Sequence, residues 1–213
     1  MIDLYFAPTP NGMKIKLFME ESGMEHKIIP IDLKKGDQFK PEFLAISPNN
    51  KIPAIVDHNP PAGMEKLHIF ESGAILLYLS NKIGRFMPTG FREREEALQW
   101  LFWQVGGLGP MAGQLYYFSV YADQKVPYAI DRFDKEVIRL LGVLDKHLAD
   151  REFISSEYSI ADMACYPWIV SYKSMGKSID NFPHLKRWAD AIERRPAVKR
   201  AYGQNHQSGH DGI

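Results

Sequence analysis

Cysteine is the scarcest residue here: Cys165 stands alone among 213 residues. A lone thiol closes no internal disulfide and builds neither a Cys-x-x-Cys redox pair nor a cysteine-based metal site, so a reducing compartment is expected. Net charge is missing too. The 26 Lys and Arg residues balance 26 Asp and Glu, whereas a nucleic-acid binder carries a basic excess. No apolar run is long; the one around Ile75 to Leu79 is far short of the roughly 20 residues a membrane helix needs. The start, Met1 to Pro8, lacks a basic stretch followed by an apolar one, so no signal peptide is expected. None of the seven histidines has His-Glu-x-x-His spacing. His206 and His210 are four apart but fall in a polar, glycine-rich tail, so no metal site is expected. Repeats and low-complexity tracts are absent. These absences imply a soluble, cytoplasmic chain with neither membrane nor nucleic-acid partner. The 45% of hydrophobic residues suffices for a core. At roughly 150 residues per domain, the length allows one large domain or two small ones.

The first 90 residues alternate short β-rich runs with helical patterns. Ile2 to Phe6 reads as a strand that ends at Ala7-Pro8-Thr9-Pro10. Asn11-Gly12 opens a helix to Ser22, with Gly23 as the residue that closes it. Lys27 to Leu33 reads as a second strand and Pro41 to Ile46 as a short helix with proline in its first turn. Ile52 to Asp57 and Lys66 to Phe70 are the third and fourth strands, and Glu71-Ser72-Gly73 opens a helix to about Lys82. The order is βαβαββα, with a right-handed parallel crossover first and a hairpin last. Gly84 to Arg92 reads as a linker. Beyond it no strand pattern recurs. Glu93 to Tyr121 reads as one helix, apolar on more than one face around Trp100 to Val105, and so buried between domains or subunits. A helix from Pro127 carries Ile130, Phe133, Val137, Leu140, Leu141, Leu144 and Leu148 on one stripe. Ser159-Ile-Ala-Asp162 is a capping box, and 181–194 and 196–203 close the domain. Gly107-Leu-Gly109-Pro-Met-Ala112 matches a dinucleotide-binding spacing but follows no strand, so its glycines are read as allowing a close approach or a kink.

This arrangement resembles a cytosolic glutathione transferase. Four strings carry the resemblance further: Thr9-Pro10-Asn11-Gly12, Ser47 to Ile55, Phe70 to Leu76 and Gln99 to Met111. They are similar to the Nu-class (Ure2-like) glutathione transferases over residues 1 to about 203. The resemblance implies a thioredoxin-like N-terminal domain (1–84), a linker (85–91), an all-helical C-terminal domain (92–203) and a flexible tail (204–213). It also implies a homodimer, with glutathione or oxidised glutathione as ligand and co-substrate and no other cofactor. The activity implied is glutathione-dependent disulfide reduction with weaker transferase or peroxidase activity. A conventional transferase and a non-catalytic glutathione-binding regulator on the same fold remain open.

The resemblance also gives roles to residues whose types alone have everyday meanings. Thr9 and Asn11, at the start of the first helix, are the catalytic pair, donating to the sulfur of glutathione; alone, they read as a turn and a cap. Ile52, before Pro53, pairs with the peptide-like ligand as an added strand across a cis bond; alone, Pro53 begins a strand. Glu71 and Ser72 hold the ammonium and carboxylate of the γ-glutamyl end; alone, they are an acidic first turn. Gln38 meets the glycyl end, and Arg132 offers a guanidinium to a carboxylate. Tyr5, a rival sulfur donor, is read as packing, and Cys165 as a small core residue. The segment 114–127 is unusually aromatic (Tyr116, Tyr117, Phe118, Tyr121) and, by the resemblance, walls the second-substrate site.

Overall fold

The computed structural model describes residues 1–203; the expected tail 204–213, with His206 and His210, lies outside the described residues. Two compact units emerge, Phe86–Arg195 and the remaining described residues on either side of it.

The first unit is built on a four-stranded sheet ordered β2-β1-β3-β4. Its strands are β1 (Ile2–Phe6), β2 (His26–Pro30), β3 (Ala54–Asp57) and β4 (Leu67–Phe70). Strands β1 and β2 run parallel, joined by helix α1 (Pro10–Ser22), while β3 is antiparallel to both β1 and β4. The expected βαβαββα order holds, including the closing hairpin. The central strands carry the core: Ile2 and Leu4 on β1 and all of β3 are buried. Helix α1 ends where a glycine was expected, Gly23 at φ 71°, its N–H donating to the Met19 carbonyl. Helices α2 (Pro41–Leu44) and α3 (Ser72–Ile83) complete the pattern.

The last helix, α9 (Pro196–Tyr202), groups with this unit rather than with the helical one that the sequence bounds gave it. It buries Ala197, Val198 and Ala201, and its Arg200 donates to both the carboxylate and the carbonyl of Glu20 on α1. Packing distant in sequence outweighed continuity with the preceding helices. The boundary itself, between Arg85 and Phe86, falls at the start of the expected linker.

The second unit is helical: α4 (Phe91–Trp103), α5 (Gly109–Tyr116), α6 (Pro127–His147), α7 (Ile160–Ser174) and α8 (Pro183–Glu193). Two wide, π-helical turns, Gln104–Leu108 and Tyr117–Tyr121, flank α5, so the single helix expected over 93–121 is instead interrupted twice. A Cβ on Gly109 would come within 2.6 Å of the buried Gln104 amide nitrogen, so a close approach explains this glycine and the dinucleotide reading stays excluded. Buried Asp162 completes the capping box of α7. It accepts from Ser159 N–H (2.9 Å), from Ile154 N–H (2.9 Å) and from the Trp188 indole (2.8 Å). Asp145 on α6 accepts the His184 and Leu185 N–H groups at the start of α8. No described helix is long and apolar enough to cross a membrane.

Candidate functional site at one end of the sheet

Sheet register explains how segments far apart in sequence meet. Tyr5 near the end of β1 pairs with Ala54 at the start of β3, and Ala54 pairs with Phe70 at the end of β4. Thr9 and α1 after β1, Ile52-Pro53 before β3, and Glu71 and α3 after β4 therefore emerge at the same end. Phe6 pairs with Pro30, so the loop that continues to Gln38 leaves from that end as well. Seven of the eight expected site residues thus share one end of one sheet. The eighth, Arg132, is exposed on α6, in the helical unit.

Thr9 caps α1 from an extended backbone conformation, its Oγ1 accepting the Gly12 N–H at 3.2 Å. Accepting there leaves the hydroxyl proton to donate. The Thr9 N–H goes to the Ala7 carbonyl, and Pro10 has none to offer. Asn11 N–H has no hydrogen-bond partner among the described residues, which leaves it as the open donor of this helix start. Gly12 is required: a Cβ there would lie 2.2 Å from the Ala7 carbonyl oxygen.

The start of α3 differs. Glu71 precedes it at φ 71°, ψ 114°, and no side chain caps the helix. Its first N–H groups, beginning with Ser72, form the positive end of the helix dipole, with no side chain capping them. Ser72 is buried, and its Oγ accepts a hydrogen bond from Lys14 Nζ at 3.1 Å. Glu71 is exposed, so an acid stands beside an uncapped helix start. The site thus offers donors at two helix starts and one carboxylate, which suits a ligand with both an anionic and a cationic group.

The Ile52-Pro53 bond is cis, and Ile52 lies just outside the ladder that begins at Ala54. Gln38 sits on a short helical turn. Its Nε2 donates to the Leu33 carbonyl at 3.4 Å, and its Oε1 is buried without a partner among the described residues. Asp32 and Asp37 brace this loop: Asp37 accepts Asp32 N–H, and Asp32 accepts the N–H groups of Lys34 and Lys35. Tyr5 packs its ring 5.9 Å from that of Phe43. Burial, with Asp3 nearby, raises its phenol above the ordinary value, which makes it less ready to lose a proton. Cys165 is fully buried on α7. Lys14 is the residue that sequence reasoning missed. Its signal was available, since helical spacing places it on the face of Leu17 and Phe18, both fully buried.

This fold is that of the glutathione S-transferase family, to which the chain belongs. The family's N-terminal domain model matches residues 2–81 and its C-terminal domain model residues 127–191. Among curated relatives, the chain is 55% identical over 202 residues to the disulfide-bond oxidoreductase YfcG of Escherichia coli, covering 94% of each. Among solved structures, a glutathione transferase from Pseudomonas putida, with one glutathione disulfide bound per subunit, superposes with a TM-score of 0.88 at 41% identity, covering 94% of this chain and 90% of that one. One from Burkholderia graminis, with two glutathione molecules per subunit, gives 0.89 at 40% identity, covering 97% and 89%.

Proposed function

We propose that this protein is a glutathione-dependent disulfide-bond oxidoreductase, in which the thiolate of bound glutathione reduces small disulfides. The observation that carries the reading is the pair of helix starts at one end of the sheet. One is capped by a hydroxyl that still has a proton to give; the other is uncapped and lies beside an exposed carboxylate.

In this reading the γ-glutamyl carboxylate caps α3 through Ser72, and its ammonium meets Glu71. The peptide backbone runs past Ile52 and Pro53, and Gln38 faces the glycyl end. The sulfur then lies at α1, accepting from Thr9 Oγ1–H and Asn11 N–H. A free thiol titrates near pH 8.5, and each unit of lowering takes about 1.4 kcal/mol of preferential anion binding. Two donors and a helix dipole supply one to two such units. The thiolate attacks one sulfur of the substrate disulfide, forming a mixed disulfide and releasing one thiolate, which takes up a proton. A second glutathione thiolate attacks the mixed disulfide at the glutathione sulfur, releasing the other product thiol and glutathione disulfide. The two neighbours whose structures hold glutathione disulfide or two glutathiones support room for this second step.

Arg132 is assigned to a glutathione carboxylate on the resemblance alone. A homodimer is part of the proposal: Phe91 and Phe102, 81% and 68% exposed, stand about three turns apart on one face of α4. Cytoplasmic residence is proposed from the single buried cysteine. The test compares turnover of a small disulfide with that of a chlorodinitroarene, both with glutathione. Preference for the disulfide is expected; preference for the arene makes the protein a conventional transferase, and no turnover of either makes it a non-catalytic binder.

A further inference from the structure

Helix α1 buries a lysine. Lys14 is 1% exposed, in the company of Leu17 and Phe18, and its Nζ reaches Ser72 Oγ at the start of α3. An ammonium has three donors and no acceptor, so Ser72 Oγ is the acceptor in this bond. The hydroxyl is left with its own proton to donate, directed away from the lysine. Ser72 is the first residue of a helix that no side chain caps, so this hydroxyl and the N–H groups of the first turn form a set of donors with a cation behind it. Such a set is matched to an anion: the charge favours it, and the orientation of the hydroxyl is fixed before it arrives.

We propose that Lys14 is a positioning residue for the γ-glutamyl carboxylate, acting through Ser72. This rests on the glutathione reading of the Ser72 site. Lys14 holds the serine hydroxyl as a donor and adds its charge beneath the carboxylate. A merely structural strut between α1 and α3 would instead serve any ligand alike.

Two ligands distinguish the roles: glutathione and γ-aminobutyryl-cysteinylglycine, which keeps the ammonium and lacks the γ-glutamyl carboxylate. The wild type is expected to bind the analogue at least about tenfold more weakly. Lys14→Met is expected to weaken glutathione by about the same factor, raising its KM more than it lowers kcat, and to leave affinity for the analogue unchanged. If Lys14→Met weakens both ligands equally, or neither, Lys14 is a strut and the proposal is wrong. Should this variant fail to fold, the side-chain nitrogen resonance of Lys14 in the wild type decides. It is expected to shift with glutathione and not with the analogue; equal response to both overturns the proposal. Failure of the wild type to bind glutathione at all sinks the functional reading and this inference with it, whereas binding without discrimination sinks the inference alone.

Discussion

At the scale of single residues, Glu71 separates stability from binding. Its backbone, at φ 71° and ψ 114°, occupies a region that costs a non-glycine residue about 1–3 kcal/mol. Glycine would relieve that strain and remove the carboxylate. Glu71→Gly is therefore expected to hold or raise the melting temperature while glutathione affinity falls. Thermal unfolding with calorimetric titration checks this, and a lower melting temperature with unchanged affinity would contradict it. Thr9 makes the complementary case, because one oxygen does two jobs. It accepts the Gly12 N–H and, in the proposed reaction, donates to sulfur. Thr9→Val loses both, at a cap cost of about 0.5–2 kcal/mol and with the bound thiol expected to titrate about one unit higher. Thr9→Ser restores the hydroxyl and should restore both. Ultraviolet titration of the bound thiolate reads the shift, and an unchanged titration in Thr9→Val removes Thr9 from the sulfur site.

At the scale of elements, the buried carboxylate of Asp57 ties the end of β3 to α3. Burial pushes its pKa up. The Lys82 ammonium, the Tyr78 hydroxyl (2.6 Å) and the Asn59 N–H (2.8 Å) outweigh that and hold it below the usual range. A carboxyl whose folded pKa is depressed stabilises the fold above its unfolded value, near 3.9, and loses that contribution as pH falls through the folded value. Denaturant unfolding should therefore show stability dropping below about pH 4. Asp57→Asn should be less stable at pH 7 by about 3 kcal/mol, since it leaves Lys82 without its carboxylate, and its decline in that acid window should be shallower. An equal decline in both proteins would place the acid sensitivity elsewhere. The same scale shows what a sequence can and cannot display. The ends of α1 and α7 were legible because their signals are local: a threonine or serine cap, a glycine closing the helix, an aspartate three residues after the cap. The βαβαββα order along the chain was legible from the turn clusters between the runs. The two π-helical turns beside α5 were not, because an i→i+5 bond has no residue signature; Gly109 marks the first only once its distance to Gln104 is known. Nor was the docking of α9 on α1, which depends on residues some 180 positions apart. Seven of the expected residues come to one end of the sheet because their motifs border the strands, while Lys14 was hidden by the habit of reading lysine as surface.

At the scale of the whole molecule, the chemistry is limited by electrons. Reducing one disulfide takes two, and the protein's only thiol, Cys165, is fully buried on α7. A thiol in that position packs like a small apolar side chain and is out of reach of a substrate disulfide, which must meet its nucleophile along the S–S axis. In the proposed reaction both electrons therefore come from two glutathione molecules, and the overall conversion is two glutathiones plus one disulfide to glutathione disulfide plus two product thiols. Three consequences can be measured. Cys165→Ala keeps the turnover number, at a stability cost of about 1 kcal/mol for the lost sulfur in a packed core. A thiol alkylator applied to the folded wild type leaves activity intact, and counting products gives one glutathione disulfide per disulfide reduced. If Cys165→Ala folds and binds glutathione yet no longer turns over, the protein itself carries a redox sulfur, and the proposal that α1 serves a borrowed thiolate fails.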